Sequence, residues 1–192
     1  KSQPHEMAAP FALLPPLLAS AVAADSPSIG FVGLGTMGSH IAAHLHRTSV
    51  AGKGGRPLLV WNRSPEKAAA HSAAHGTTAV DALDHLAECD VIFLCLSTSQ
   101  DVQDVLAHIP LKERALVVDC TSGEPAASRA LAASLRERCG GRFVDAPVSG
   151  GPTGAEGGTL TSMLGGDEAD CSAAMEWARR RLPSSLSPTL VT

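Results

Sequence analysis

Three clusters of residues carry the chemical potential of this sequence. The first is Gly33-Leu34-Gly35-Thr36-Met37-Gly38, a G-x-G-x-x-G spacing. It directly follows the apolar run Ile29 to Val32, and Met37, Ile41 and Leu45 then recur at helical spacing. The glycines therefore sit between a strand and a helix, the context that gives this motif its meaning. The first glycine permits a tight turn, the second lets the backbone approach a pyrophosphate, and the third lets helix and strand pack closely. The helix start adds free N–H groups and the positive end of its dipole. The chemistry implied is dinucleotide binding by Gly33, Leu34, Gly35, Thr36, Met37 and Gly38.

The second cluster ends the next strand, as Trp61-Asn62-Arg63-Ser64. A dinucleotide site ordinarily places an acid here to hold a ribose 2′-hydroxyl. No carboxylate is present, and Glu66 is already inside the following helix. The guanidinium fork of Arg63 suits phosphate oxygens instead, so the site is expected to favour NADP over NAD. An ordinary solvated charge is the alternative for Arg63. The insertion Ala51 to Arg56 lengthens the gap between the two clusters as a surface loop.

The third cluster is Asp145-Ala146-Pro147-Val148-Ser149-Gly150-Gly151, followed by Gly154, Gly157, Gly158, Gly165 and Gly166. It reads as a loop dense in backbone donors at the carboxyl end of a strand, where open α/β sheets bind ligands. Ser149 with the N–H groups of Gly150 and Gly151 forms a candidate nest for a carboxylate. Other reactive residue types give less. His40, His44 and His46 recur on the first helix, and His71 and His75 are four apart. Without an H-E-x-x-H or a completing carboxylate they read as a solvated polar face, not a metal site. Cys120 lacks a histidine partner in sequence and reads as a strand end, not a catalytic thiol. Asp145 reads as a structural hydrogen-bond acceptor.

Alternating strands and helices must hold these clusters. Ser64-Pro65-Glu66 opens a helix with Ser at N-cap and Pro at N1, and Gly76 closes it. Thr77 to Val80 is a short strand and Ala82 to Glu88 a short helix. Val91 to Leu96 and Ala115 to Asp119 are continuous apolar runs of the kind buried on both faces. Between and after them lie helices over Ser99 to Ile109 and Pro125 to Cys139, then a strand over Arg142 to Ala146. The alternation predicts an α/β fold, a doubly wound parallel sheet with helices on both faces.

Composition agrees. Of 192 residues, 44% are hydrophobic and 18% charged, which argues against a disordered chain. Aromatics are 3% with no Tyr, and the net charge is −4. An aliphatic core follows, and neither a stacking platform nor a basic face for nucleic acid is implied. The five cysteines, an odd number without C-x-x-C, read as reduced thiols of an intracellular protein. No apolar run is long enough for a transmembrane helix.

The ends differ. Residues 1–27 are rich in Ala and Pro, with an apolar stretch Phe11 to Ala24 ending in Ala21-Val22-Ala23. A disordered leader, an organellar presequence and a secretory signal are the three readings. A cytoplasmic location, or a mitochondrial or other organellar one, follows from the first two. Residues 28–170 hold the motifs, and 171–192 form a tail that continues one helix, Glu168 to Arg181, into a low-complexity stretch from Leu182.

Four stretches in order make the chain resemble the β-hydroxyacid dehydrogenase family, which includes 3-hydroxyisobutyrate dehydrogenase and glyoxylate and tartronate semialdehyde reductases, with 6-phosphogluconate dehydrogenase as a distant relative. They are IGFVGLGTMGSHIAAHL from Ile29, VWNRSPEKA from Val60, VVDCTSGEPAASRALA from Val117 and DAPVSGGPTGAEGGTLTSMLGG from Asp145. The resemblance implies a Rossmann domain, hydride transfer between NADP(H) and a small 3-hydroxyacid or semialdehyde, and a homo-oligomer. It implies that Asn62, Arg63 and Ser64 hold the 2′-phosphate, and that Leu96 and Ser97 border the cofactor, with Ser in place of the family's Pro. Thr121-Ser122 matches a Ser-Thr pair near the nicotinamide in swapped order, and Ser149, Gly150 and Gly151 match the loop that grips the substrate carboxylate. The family's catalytic Lys and all-helical second domain find no counterpart, because Lys1, Lys53, Lys67 and Lys112 all precede the substrate loop. The chain is thus expected to be a C-terminally truncated form that binds cofactor without the catalytic Lys. The alternative is a non-catalytic NADP-binding module or scaffold.

Overall fold

The computed structural model describes residues 27–50, 55–181 and 187–190. Residues 1–26 of the leader and 51–54 of the insertion lie outside the described residues. Strand β1 (Ile29–Val32) leads into helix α1 (Thr36–Val50), followed by β2 (Leu59–Trp61), α2 (Pro65–His75), β3 (Thr78–Ala79) and a 3₁₀ turn at Leu83–Leu86. Next come β4 (Val91–Leu94), α3 (Ser99–Ala107), β5 (Leu116–Asp119), α4 (Pro125–Cys139) and β6 (Arg142–Asp145). The chain continues through β7 (Val148–Ser149), α5 (Gly151–Gly157), β8 (Thr161–Gly166), α6 (Glu168–Arg181) and β9 (Ser187–Leu190).

The first six strands pair in parallel in the order β3-β2-β1-β4-β5-β6. This is the doubly wound Rossmann arrangement, whose order reverses between β1 and β4. The central strands are apolar on both faces because both faces are covered. Ile29, Phe31, Val91, Phe93, Leu116 and Val118 point into one layer, beneath Ile41, Ala42 and Leu45 of α1 and Ala68 of α2. Val32, Ile92, Leu94 and Val117 point into the other, beneath Val102 and Leu106 of α3 and Leu135 of α4. Phe31 and Phe93 face each other in register and stack with ring centroids 6.3 Å apart.

Helix punctuation follows the sequence closely. Pro65 opens α2, and Gly76 closes it in the left-handed conformation, with its N–H bonded to the Ser72 carbonyl at 2.8 Å. Ser64 takes the N-cap position without a side-chain capping bond. Thr98, not singled out in the sequence, caps α3 by accepting the Asp101 N–H.

Four expectations are corrected. The helix expected over Ala82 to Glu88 is only the 3₁₀ turn at Leu83–Leu86, anchored by a fully buried Leu86. Residues 147–166 are not one loop but a strand, a helix and a strand. Here β8 runs antiparallel to both β6 and β7, because Leu160 and Leu164 supply the apolar anchors that bury this segment on the α1 side of the sheet. The low-complexity stretch after Leu182 contains β9, which adds in parallel to β8 from Ser187 to Leu190. Before that tail, Cys171 and Ala174 of α6 are buried in the same core.

The fourth concerns the histidines. His46 and His71 are buried, not solvated. The ring of His71 bridges elements, with Nδ1 2.9 Å from Thr77 Oγ1 and Nε2 2.9 Å from the Ser39 carbonyl. His46 Nδ1 accepts the Leu58 N–H at 3.3 Å. Hydrogen bonds on the ring nitrogens offset their burial. Burial holds the pKa of both rings below the ordinary histidine value. No group of three or more metal-binding side chains occurs among the described residues.

Candidate cofactor site

The site begins where the sheet order reverses. The turn after β1 and the segment after β4 leave the sheet side by side at its carboxyl edge, and they diverge to opposite layers. Gly33 has φ +101°, and its N–H donates to the Trp61 carbonyl at 3.1 Å. A Cβ on Gly33 would lie 2.3 Å from the Cys95 carbonyl oxygen. One on Gly38 would lie 1.9 Å from the Gly33 carbonyl oxygen. Gly33 and Gly38 are thus fixed by sterics within the protein. Gly35 is different: a Cβ there would meet nothing within 4 Å. Its backbone faces open space, as required of a glycine kept bare for close approach by a ligand.

That space is a cleft of about 440 Å³, lined by Gly33, Gly35, Asn62, Arg63, Leu96 and Ser97 among others. The structure therefore gathers three separate sequence segments into one wall. Among the lining side chains that the sequence reading did not assign are Lys67 on α2, Asp101 and Asp104 along α3, and His108 at its end. The spacing of Asp101, Asp104 and His108 is a helical stripe, so periodicity could have flagged them, but only the fold shows which strand end that stripe meets.

Each expected site residue has a definite place. Asn62 is committed to shaping the loop: its Oδ1 accepts the Leu34 N–H at 2.9 Å and its Nδ2 donates to the Ser64 carbonyl at 3.1 Å. Arg63 is the exposed member of its trio, its side chain 89% accessible. Leu96 N–H donates to Thr121 Oγ1 at 3.0 Å, and Thr121 N–H donates to Asp119 Oδ1 at 2.9 Å. Thr121 is fully buried, so it acts as a strut under the Leu96 turn. Its neighbour Ser122 is exposed and shares a polar groove of about 450 Å³ with Ser97, between the starts of α3 and α4. Ser149, Gly150 and Gly151 sit at the exposed junction of β7 and α5, with φ +135° at Gly150 and +64° at Gly151, and are not among the residues lining the 440 Å³ cleft.

The residues present fit a dinucleotide. The glycine turn leaves the approach at Gly35 open, α1 begins there with its positive end, and Arg63 and Lys67 supply cations beside it. A profile of the NAD binding domain of 6-phosphogluconate dehydrogenase matches residues 28–177. The chain belongs to this family. An NAD-dependent L-serine dehydrogenase of Pseudomonas aeruginosa is 37% identical over 158 residues, 79% of this chain and 49% of that protein. Human mitochondrial 3-hydroxyisobutyrate dehydrogenase is 33% identical over 160 residues, 81% of this chain and 45% of that one. Among solved structures, Mycobacterium tuberculosis 3-hydroxyisobutyrate dehydrogenase with L-serine superposes with a TM-score of 0.73 at 28% identity, covering 86% of this chain and 55% of that one. The chain spans about half the length of the curated relatives it matches.

The five thiols are all free. Cys120 is buried, and burial pushes its pKa well above that of an ordinary thiol, which suits a strand end and not a nucleophile. No helix among the described residues is long and apolar enough to cross a membrane.

Two outcomes follow from this geometry. Gly38→Ala forces Gly33 and α1 apart, so it should lower the thermal midpoint and abolish nucleotide binding, both measurable by thermal shift with and without NADPH. The second concerns Asp119. Burial raises its carboxyl to about 6, the nearby Asp145 charge adds to this, and hydrogen bonds from Thr121 oppose it. The folded state then holds a proton that the unfolded state releases at a lower pH. Stability falls as pH rises from about 4 to about 6 and levels off above. In Asp119→Asn, which keeps the acceptor for the Thr121 N–H, urea midpoints across that range should lose this part of the slope.

Proposed function

We propose that these residues form the NADP(H)-binding half of an oxidoreductase of the β-hydroxyacid dehydrogenase type, which transfers hydride between NADP(H) and a small 3-hydroxyacid or semialdehyde. The observation that carries the reading is the cleft at the sheet reversal, where the bare face of Gly35 and the cations of Arg63 and Lys67 share one wall. The names of the relatives support the reaction class, since they are dehydrogenases of L-serine and 3-hydroxyisobutyrate.

The nicotinamide supplies the hydride chemistry. The protein's work is placement. Gly33, Leu34, Gly35, Thr36, Met37 and Gly38 receive the pyrophosphate at the start of α1. Asn62 holds the glycine turn in shape, while Arg63 with Ser64 and Lys67 meets the adenosine ribose and its 2′-phosphate. Leu96 and Ser97 border the dinucleotide, with Ser122 across the polar groove. Ser149, Gly150 and Gly151 offer backbone donors for a substrate carboxylate. NADP is favoured over NAD because Asn62-Arg63-Ser64 follows β2 with no acid among them.

The scaffold reading keeps one specific support. Of the described lysines, Lys67 lines the adenosine end of the cleft and Lys112 is tied to Asp90 by an ion pair. Neither stands at the Ser149 turn to move a proton at a substrate oxygen. Such a group is worth about 10²–10⁴-fold in rate.

Two measurements test this reading. By calorimetry, NADPH should bind the 192-residue chain more tightly than NADH. Arg63→Ala should cost about 1.5 kcal/mol, roughly tenfold in Kd, the low end for a charged hydrogen bond because the side chain is exposed. Equal affinity for both cofactors overturns the preference. In a steady-state assay with NADP and 3-hydroxyisobutyrate or serine, these 192 residues alone should give no rate above background. Robust turnover would show that a residue within them is the acid–base group.

A further inference from the structure

The end of β2 lacks the acid expected of a ribose-binding strand, yet the fold brings one to the same place from a different element. Arg63 Nη1 lies 3.8 Å from Asp101 Oδ1, and both residues line the nucleotide cleft. Asp101 belongs to the first turn of α3, which enters from the segment after β4 on the far side of the sheet reversal. Its carboxylate is held there independently of Arg63. Oδ2 accepts a hydrogen bond from Thr98 Oγ1 at 2.7 Å, while Thr98 Oγ1 accepts the Asp101 N–H at 3.1 Å. This reciprocal cap fixes the carboxylate, leaving Oδ1 turned to the guanidinium.

We propose that Asp101 is a specificity-determining residue: it competes for Arg63 with the 2′-phosphate and so sets how strongly the cleft separates NADP from NAD. The inference rests on the reading of Arg63 as the 2′-phosphate ligand. A phosphate that takes up Arg63 must share a guanidinium already engaged at 3.8 Å by a fixed carboxylate. It must also accept a like charge within a few ångströms, and that repulsion is only partly screened at the lip of a cleft. A ribose 2′-hydroxyl meets neither penalty, because a carboxylate accepts a hydrogen bond from it readily. The Asp101 side chain is 35% accessible, so the effect is that of a half-exposed charge. It is a matter of severalfold, not of orders of magnitude.

Asp101→Asn isolates the charge. The amide oxygen still accepts from Thr98, so α3 keeps its cap and the thermal midpoint should stay within a degree or two of the parent. Calorimetric titration of the 192-residue chain with NADPH and with NADH reads the outcome. The expected result is a threefold to tenfold tighter Kd for NADPH, a Kd for NADH that is unchanged or weaker, and an NADPH gain that diminishes with added salt. An unchanged NADPH-to-NADH ratio in Asp101→Asn, while Arg63→Ala lowers it, overturns this inference and leaves the cofactor reading standing. An unchanged ratio in Arg63→Ala overturns the cofactor reading and this inference with it.

Discussion

The candidate site depends on how closely the turn after β1 approaches the end of β4. The Cys95 carbonyl occupies the space a side chain on Gly33 would need, and the Gly33 carbonyl occupies the space a side chain on Gly38 would need. These two contacts draw α1 down against the sheet edge. They also fix the direction in which the helix start points, and only with that direction fixed can its N–H groups act together on one ligand. The rest of the site is arranged around this approach. The Asn62 amide ties the turn to the end of β2, and the chain from Asp119 through Thr121 to Leu96 braces it from β5.

The supports are of two kinds. Apolar strands packed on both faces give a sheet that cannot slide by one residue without turning a row of side chains into the wrong layer. Buried polar groups then set the finer positions. His71 joins the first turn of α1 to the end of α2 through its two ring nitrogens, so the helix behind the glycine turn is held from its rear as well as from the sheet. Asp119 is buried at the end of β5, where ionisation is costly. Its place is fixed by the hydrogen bond it accepts, not by any charge partner.

Electrostatics at the cleft mouth are mixed, not uniformly positive. Arg63 and Lys67 line the cleft together with Asp101 and Asp104, and Arg63 lies 3.8 Å from Asp101. A site lined only by cations would bind any polyanion. Opposed charges make binding depend on where a ligand places its phosphates and where it places hydroxyls, which is how a cleft tells similar nucleotides apart.

Most strands and helices, and the glycine turn, are legible in short stretches of sequence. Gly33, Gly35 and Gly38 follow four apolar residues, and Pro65, Gly76, Pro125 and Gly140 mark helix ends through backbone geometry alone. These signals are local, so neighbouring residues suffice to read them. The strand–helix–strand over 147–166 was illegible because its apolar anchors are few and its glycines resemble those of a loop. The buried histidines were illegible because whether a ring is solvated depends on which helix packs beside it. Above all, tertiary structure decided that α3 places Asp101 against Arg63. The two are 38 positions apart on different strands' connections, and only the reversal of strand order between β1 and β4 makes them neighbours.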